Sequence, residues 1–131
     1  MSGPASAYQA TAIKTAGPGQ LILMLFDGAL RFMATAAAGF EEKDLTTQIE
    51  TIHNNLIKAQ RVLRELQNSL DMNKGGEFSQ RMFALYDYMI AQLTEANLGK
   101  KPEPIQIVRT LLEPIRDAWA QMLAQSNGLT A

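Results

Sequence analysis

The sequence predicts an all-α protein, an antiparallel four-helix bundle with a short N-terminal segment or helix packing on it. Three long stretches carry apolar residues at helical spacing, and a fourth is apolar around most of its circumference near its start. Clusters of glycine and proline separate these stretches. No stretch alternates with the period of two that a half-buried strand shows. Four helices joined by short connections are typical of an antiparallel bundle.

Length and composition are those of one folded domain. The chain has 131 residues, of which 47% are hydrophobic, and its net charge is −1. We expect a flexible N-terminal segment at 1–17, a helical bundle at 18–126 and a tail at 127–131. No basic block suggests binding to nucleic acid. The chain contains no cysteine, which excludes disulfides, thiolate metal sites and cysteine nucleophiles.

The first helix is expected to run from about Pro18 to Ala38, with Gly39 closing it. It is apolar enough to raise the question of a membrane span, but Asp27 and Arg31 would lie mid-span, at about 2.5–3.5 kcal/mol each. Their i, i+4 spacing instead allows them to pair on one helix face. A signal peptide is also excluded, since no basic segment precedes the apolar run and no cleavage pattern follows it. We expect a soluble, cytoplasmic protein with no membrane insertion.

The second helix is expected to begin after Asp44, a good N-cap residue. Its apolar residues alternate in steps of three and four, as in a bundle seam. The seam consists of Ile49, Ile52, Leu56, Ala59, Leu63, Leu66 and Leu70. The sequence after it, ending in Gly75-Gly76, predicts a helix stop and a turn.

The third helix is expected at about Glu77 to Asn97 and carries two adjacent apolar stripes. One stripe is Phe78, Met82, Leu85, Met89 and Ala96, and the other is Phe83, Tyr86, Ile90 and Leu93. The fourth helix has its own seam of Ile105, Val108, Leu112, Ile115, Trp119 and Met122. Pro114 should interrupt this helix locally, and Ser126-Asn127-Gly128 should end it.

The sequence gives no support for an enzyme, a metal site or a cofactor. Glu50 and His53 have the Glu-x-x-His spacing of di-iron bundles, but such a site needs two pairs and His53 is the single histidine. Gly75-Gly76 is not a phosphate loop, because no strand precedes it and no Gly-Lys-Ser/Thr follows.

The predicted helices carry more apolar surface than four helices can hide among themselves. The first helix, the broad face of the third, and the off-seam residues Ile57 and Val62 contribute to this surplus, and seven methionines suit an adaptable surface. Large exposed apolar patches mark interaction sites. The same surface would also suit a homodimer, or a fifth helix formed around Tyr8 and Ile13, and the residues alone leave these alternatives open.

An ordered set of motifs resembles the FliS family, the flagellin-specific export chaperones of bacterial flagellar type III secretion. The motifs are Ala7-Tyr8, Thr15-Ala16, Pro18, Leu21-Ile22-x-Met24-Leu25-Phe26-Asp27-Gly28-Ala29, Leu70-Asp71, Lys74-Gly75-Gly76-Glu77, Leu85-Tyr86-Asp87-Tyr88-Met89, Ala96-Asn97-Leu98 and Asp117-Ala118-Trp119. They extend from about Ala7 to Trp119 without long gaps. The sequence departs from the family at Gly17, where serine is usual, and at Pro114, where a regular helix is usual.

The resemblance implies a cytosolic bundle that binds the disordered C-terminal segment of flagellin, prevents premature polymerisation and docks at the cytoplasmic domain of the flagellar export gate. It also implies that the N-terminal segment, with Tyr8 and by position Ile13, influences access to the flagellin groove. The sequence leaves open whether a co-chaperone or an anti-sigma factor also binds. The expected flagellin contacts are Tyr8, Ile13, Leu21, Ile22, Met24, Leu25, Ile57, Tyr86, Met89 and Ile90. The alternative is a structural, self-associating bundle with no client.

Overall fold

The computed structural model describes residues 17–130, with side chains through residue 126, and contains four α-helices. They are α1 (Pro18–Gly39), α2 (Leu45–Asn68), α3 (Gly76–Gly99) and α4 (Glu103–Thr130). Three to seven residues connect successive helices, so the chain must reverse direction at each connection. The predicted all-α four-helix fold is confirmed.

The helices form a closed ring in which each packs on two neighbours. α1 and α3 each contact both α2 and α4. Polar contacts show that the neighbours are antiparallel: Gln60 of α2 donates to the Ile90 carbonyl of α3, whereas Gln67 donates to the Phe83 carbonyl. We call the end that contains the start of α1 and the α2–α3 turn the open end, and the opposite end the closed end.

The core takes one buried stripe from each helix, which in α2 and α4 follows the expected seams except at Ile49 and Met122, where the side chains are exposed. Residues of the expected seams of α2 and α4 occupy its centre, and small residues of α1 let α2 approach closely. Its buried apolar members are Phe26, Ala29, Met33, Ala36, Ile52, Leu56, Ala59, Leu63, Leu66, Tyr86, Met89, Leu93, Ala96, Ile105, Val108 and Leu112. Burial of these apolar side chains is the main contribution to the stability of the bundle.

The start of α2 has the predicted cap. Asp44 accepts hydrogen bonds from the Thr47 hydroxyl at 2.7 Å and from the Thr47 N–H at 3.0 Å. These bonds favour the ionised carboxylate and lower the pKa of Asp44 below its ordinary value. The cap thus supplies a partner for one of the N–H groups that the first turn leaves unsatisfied.

Left-handed backbone occurs at both connections of α3. Gly76 has φ +55° at the start of the helix, as expected of the paired glycines. At the other end Lys100, and not Gly99, is the left-handed residue, with φ +49°. α3 therefore extends two residues beyond the predicted Asn97 before the chain turns.

α4 is longer and more continuous than the sequence predicts. Pro114 lies inside it and is exposed, so the ring occupies solvent while the helix continues past the missing N–H. The helix backbone also passes the expected stop at Ser126-Asn127-Gly128 and reaches Thr130, so the predicted end is wrong. Asn and Gly lower helix propensity by about 1 kcal/mol or less each, which does not by itself end a helix.

α1 (Pro18–Gly39) meets the length and composition of a membrane-spanning helix: its most apolar 18-residue window has a mean hydropathy of 1.6. One side of it contributes Phe26, Ala29 and Met33 to the core. Asp27 accepts a hydrogen bond from Arg116 of α4 at 2.7 Å, instead of pairing with Arg31. The hydrogen bond to Asp27 raises the pKa of Arg116. A pair that bridges two helices ties α1 to α4 near the open end.

Candidate protein-binding cleft

An apolar cleft of about 330 Å³ opens between the helices at the open end. α1, α3 and α4 supply its walls, and the end of α2 with the following turn supplies its rim. Its lining is Ile22, Phe26, Leu66, Ser69, Leu70, Asp71, Gly75, Phe78, Ser79, Met82, Tyr86, Ile115 and Trp119. We call this the end cleft. A concave apolar site with a few polar groups is suited to binding a side chain or helix of a partner.

The turn between α2 and α3 forms a fixed rim for the end cleft. The Asp71 side chain accepts hydrogen bonds from the N–H groups of Asn73 and Lys74, at 3.1 and 2.9 Å. The Asp71 carbonyl accepts from the Gly75 N–H at 2.8 Å and from the Ser79 hydroxyl at 3.0 Å. A Cβ on Gly75 would collide with the Ser79 hydroxyl and lie 2.8 Å from the Asp71 carbonyl oxygen. Only glycine fits this position without a shift of the turn.

Trp119 forms the α4 wall and holds the start of α1. Its Nε1 donates to the Gly19 carbonyl at 2.8 Å, and its ring lies 6.4 Å from that of Phe26. A Cβ on Gly19 would lie 2.7 Å from Cδ2 of Leu123, so glycine permits the close approach of α1 and α4.

Tyr86 supplies a polar group inside the apolar lining. Its side chain is 2% exposed, and burial raises its pKa to about 12. Within residues 17–126 no fully buried side-chain nitrogen or oxygen lacks a hydrogen-bond partner, and Tyr86 makes no side-chain hydrogen bond there. The hydroxyl therefore faces the space of the end cleft, where a bound group can pair with it.

Apolar surface continues outward from the end cleft along α1 and α3. Leu21, Met24 and Leu25 are half-buried beside Ile22, and the side chain of Phe78 is 69% exposed at the mouth of the cleft. This part of α1 is the expected contact surface, and the structure places it next to the cleft.

The other predicted contact residues lie elsewhere. Ile57 and Ile90 face each other in a shallow groove between α2 and α3. Tyr8 and Ile13 lie outside the described residues. Tyr86 and Met89 need correction as surface residues: they are 2% and 0% exposed because this side of α3 faces the core, and Tyr86 reaches the surface only through the end cleft.

Sequence reasoning missed most of the end cleft. Phe78, Met82, Ile115 and Trp119 line it, but the sequence pattern assigns them only to a seam or stripe, and Phe26 enters only as part of a family motif. One sequence signal could have identified these residues. Phe78 and Met82 lie one turn apart shortly after Gly76, and an antiparallel bundle places them opposite Ile115 and Trp119 of the α4 seam.

The described residues offer little for a metal ion. No group of three or more His, Asp or Glu side chains within them is placed to hold one. Nδ1 of His53 lies 3.0 Å from the side-chain nitrogen of Asn97, a hydrogen bond between α2 and α3. Glu50 and His53 are exposed residues on the surface of α2.

Comparisons with known proteins agree with one another. Residues 1–126 match the family model "Flagellar protein FliS". The chain is 38% identical to the Flagellar secretion chaperone FliS of Bacillus subtilis over 94% of its own length and 88% of that protein. It is 39% identical to the Flagellar secretion chaperone FliS of Salmonella typhimurium, over 89% of its own length and 84% of that protein. A protein of the same name from Vibrio cholerae is 27% identical across 100% of this chain.

Proposed function

Because the chain belongs to the FliS family of flagellar proteins, we propose that it is a cytoplasmic secretion chaperone that binds the C-terminal segment of flagellin. Bound in this way, flagellin cannot polymerise prematurely and stays competent for export. The chaperone and its cargo then dock at the cytoplasmic domain of the flagellar export gate. This role requires binding alone, with no catalytic step and no cofactor.

The observation that supports this role best is the end cleft together with the adjoining surface of α1. An amphipathic segment can lay the apolar face of a helix on Leu21, Met24 and Leu25 and place one larger side chain in the cleft, in the manner of a helix in a groove. Ordering a disordered segment costs several kcal/mol, so a long contact is needed. Met24 and Met82 are flexible enough to adapt to the turns of such a segment.

Two of the predicted contacts, Ile57 and Ile90, lie apart from the end cleft. Ile57 lies nine residues before Leu66, the cleft-lining residue of α2, which is about 14 Å along the helix axis. We propose that flagellin binds at the cleft and on the adjoining surface of α1 and leaves Ile57 and Ile90 accessible. Tyr8 and Ile13 precede Gly17 in the sequence, and we propose that they influence entry to the cleft.

Calorimetric titration with the C-terminal segment of the host flagellin tests this function. We expect one-to-one binding with a negative heat-capacity change, since apolar surface becomes buried. Phe78→Ala should weaken binding about tenfold or more, because Phe78 is an exposed aromatic at the cleft mouth. Tyr8→Ala tests the N-terminal role in the same assay.

Leu98→Ala is the matched control. Leu98 is 84% exposed at the closed end, so its truncation also removes an exposed apolar side chain but should leave flagellin binding unchanged. No heat at micromolar concentrations, with light scattering showing a stable dimer, would reject the chaperone and favour the self-associating module.

A further inference from the structure

A second surface, on the outer side of α2, carries positive charge around an apolar floor. Two shallow hollows share Ile57 and Arg61: one of about 270 Å³ adds His53, Asn54 and Lys58, and one of about 340 Å³ adds Gln60, Arg64 and Ile90. We call the two hollows together the cationic groove. Ile57 and Ile90 are half-buried in it, so their apolar side chains are partly accessible.

The positive charge of this surface is not balanced locally. No acidic residue occurs from Thr51 to Arg64 on α2 or from Gly28 to Gly39 on α1, although the whole chain has a net charge of −1. Arg64 pairs with Asp87 at 3.2 Å, and Asp27, which borders the region on α1, is engaged by Arg116. Among the described residues, Arg31, Lys58 and Arg61 have no carboxylate within ion-pair distance. Glu50 and Glu65 are the acidic residues that bound the groove along α2.

Two of these cations are held in place by an aromatic ring. The Arg31 guanidinium carbon lies 5.5 Å and Lys58 Nζ lies 5.8 Å from the centre of the Phe32 ring. Cation–π contacts of this kind hold the side chains against the surface where α1 meets α2. Because these side chains are already ordered, they lose less conformational entropy when a ligand binds.

We propose that the cationic groove binds an acidic helical segment of a second protein, distinct from the occupant of the end cleft. One apolar side chain of the segment would rest on Ile57, and flanking carboxylates would pair with Lys58 and Arg61. Charge complementarity specifies this partner, since the end cleft is lined by apolar residues with no cation whereas the groove combines an isoleucine floor with unpaired cations. Three or four positive charges on a chain of net charge −1 are too few for nucleic acid.

The test uses the full chain and a labelled synthetic helical peptide with leucines on one face and glutamates flanking them. We expect saturable binding that weakens as salt is added, and about a tenfold or greater loss of affinity for the double variant Lys58→Glu, Arg61→Glu. Lys43→Glu is the matched control, since Lys43 is an exposed cation in the α1–α2 connection that lies outside the groove. It should change affinity less than twofold. Circular dichroism checks that the variants stay helical.

Three outcomes would overturn the proposal. The first is equal binding of a peptide with lysine in place of glutamate. The second is unchanged affinity of the double variant. The third is competition between the acidic peptide and the flagellin segment, which would make the groove part of the flagellin site. The first two outcomes are measured without flagellin, so they are separate from failure of the chaperone function.

Discussion

At the closed end of the bundle the seam of α4 is fully covered, and at the open end the same seam reaches the surface. Ile105 and Val108 are buried, Ile115 and Trp119 line the end cleft, and the side chain of Met122 is 47% exposed. The apolar spacing does not change along the helix. The difference teaches that a regular seam can serve folding at one end and leave room for a partner at the other.

Paired truncations on α4 give the largest expected effect and test this contrast directly. Leu112→Ala should destabilise the protein by about 2–5 kcal/mol, because Leu112 is fully buried and a cavity would remain. Ile115→Ala, one turn further, should cost about 1 kcal/mol, because Ile115 is half-buried beside an existing cleft. Urea unfolding measures both values. Equal losses would mean that the two ends are packed alike.

Alkaline titration tests whether Tyr86 is as enclosed as the core. Burial raises its pKa from 10.0 to about 12, so the folded state favours the neutral phenol. The contribution of the neutral Tyr86 phenol to the free energy of unfolding is fully present below pH 10. It is lost as the pH rises through about 12, which lowers the free energy of unfolding by about 2–3 kcal/mol.

The variant Tyr86→Phe should remove this part of the pH dependence, and Tyr88→Phe, at an exposed tyrosine two residues on, should not. The measurement is the free energy of unfolding between pH 9 and about pH 12 for the three proteins. Identical curves for all three would place the Tyr86 hydroxyl in open solvent.

A glycine comparison probes the rim of the end cleft. Gly75→Ala should destabilise the protein by about 1–3 kcal/mol, because the new Cβ would press on Ser79 and on the Asp71 carbonyl. Gly28→Ala should instead stabilise by up to about 1 kcal/mol, since a Cβ there meets only the end of the Arg31 side chain at 3.8 Å in mid-helix. Thermal unfolding gives the sign of each. If Gly75→Ala were also stabilising, the turn would not be a fixed rim.

The smallest change in stability is expected at the closed end, where α3 ends at a left-handed residue that is not glycine. Lys100 adopts φ +49°, which disfavours a residue with a Cβ. Lys100→Gly should stabilise by about 0.5–1 kcal/mol, reduced by the extra freedom of glycine in the unfolded chain. Lys101→Gly is the control, since Lys101 carries no such strain, and it should not stabilise. The test is the denaturant midpoint at constant slope.

Local signals predicted much of the fold, and contacts between distant residues explain what was missed. The Asp44 cap depends on Thr47 three residues away, and the α2 seam depends on one helix, so both were readable from the sequence. The partner of Asp27 is 89 positions distant, and spacing alone offered the nearby Arg31 instead. Phe83 and Tyr86 belong to the same predicted stripe of α3, and only the packed bundle decides that Tyr86 is buried and Phe83 exposed.

The hydrogen bond from Trp119 to Gly19 also gives the protein an intrinsic optical reporter. Trp119 is the single tryptophan of the chain, and its indole forms part of the cleft wall. Emission excited selectively at the indole therefore comes from this one place. A blue shift would signal that a ligand has displaced water from the cleft, and a red shift would signal that the start of α1 has come away from α4. Occupancy and opening can thus be distinguished in the unlabelled protein.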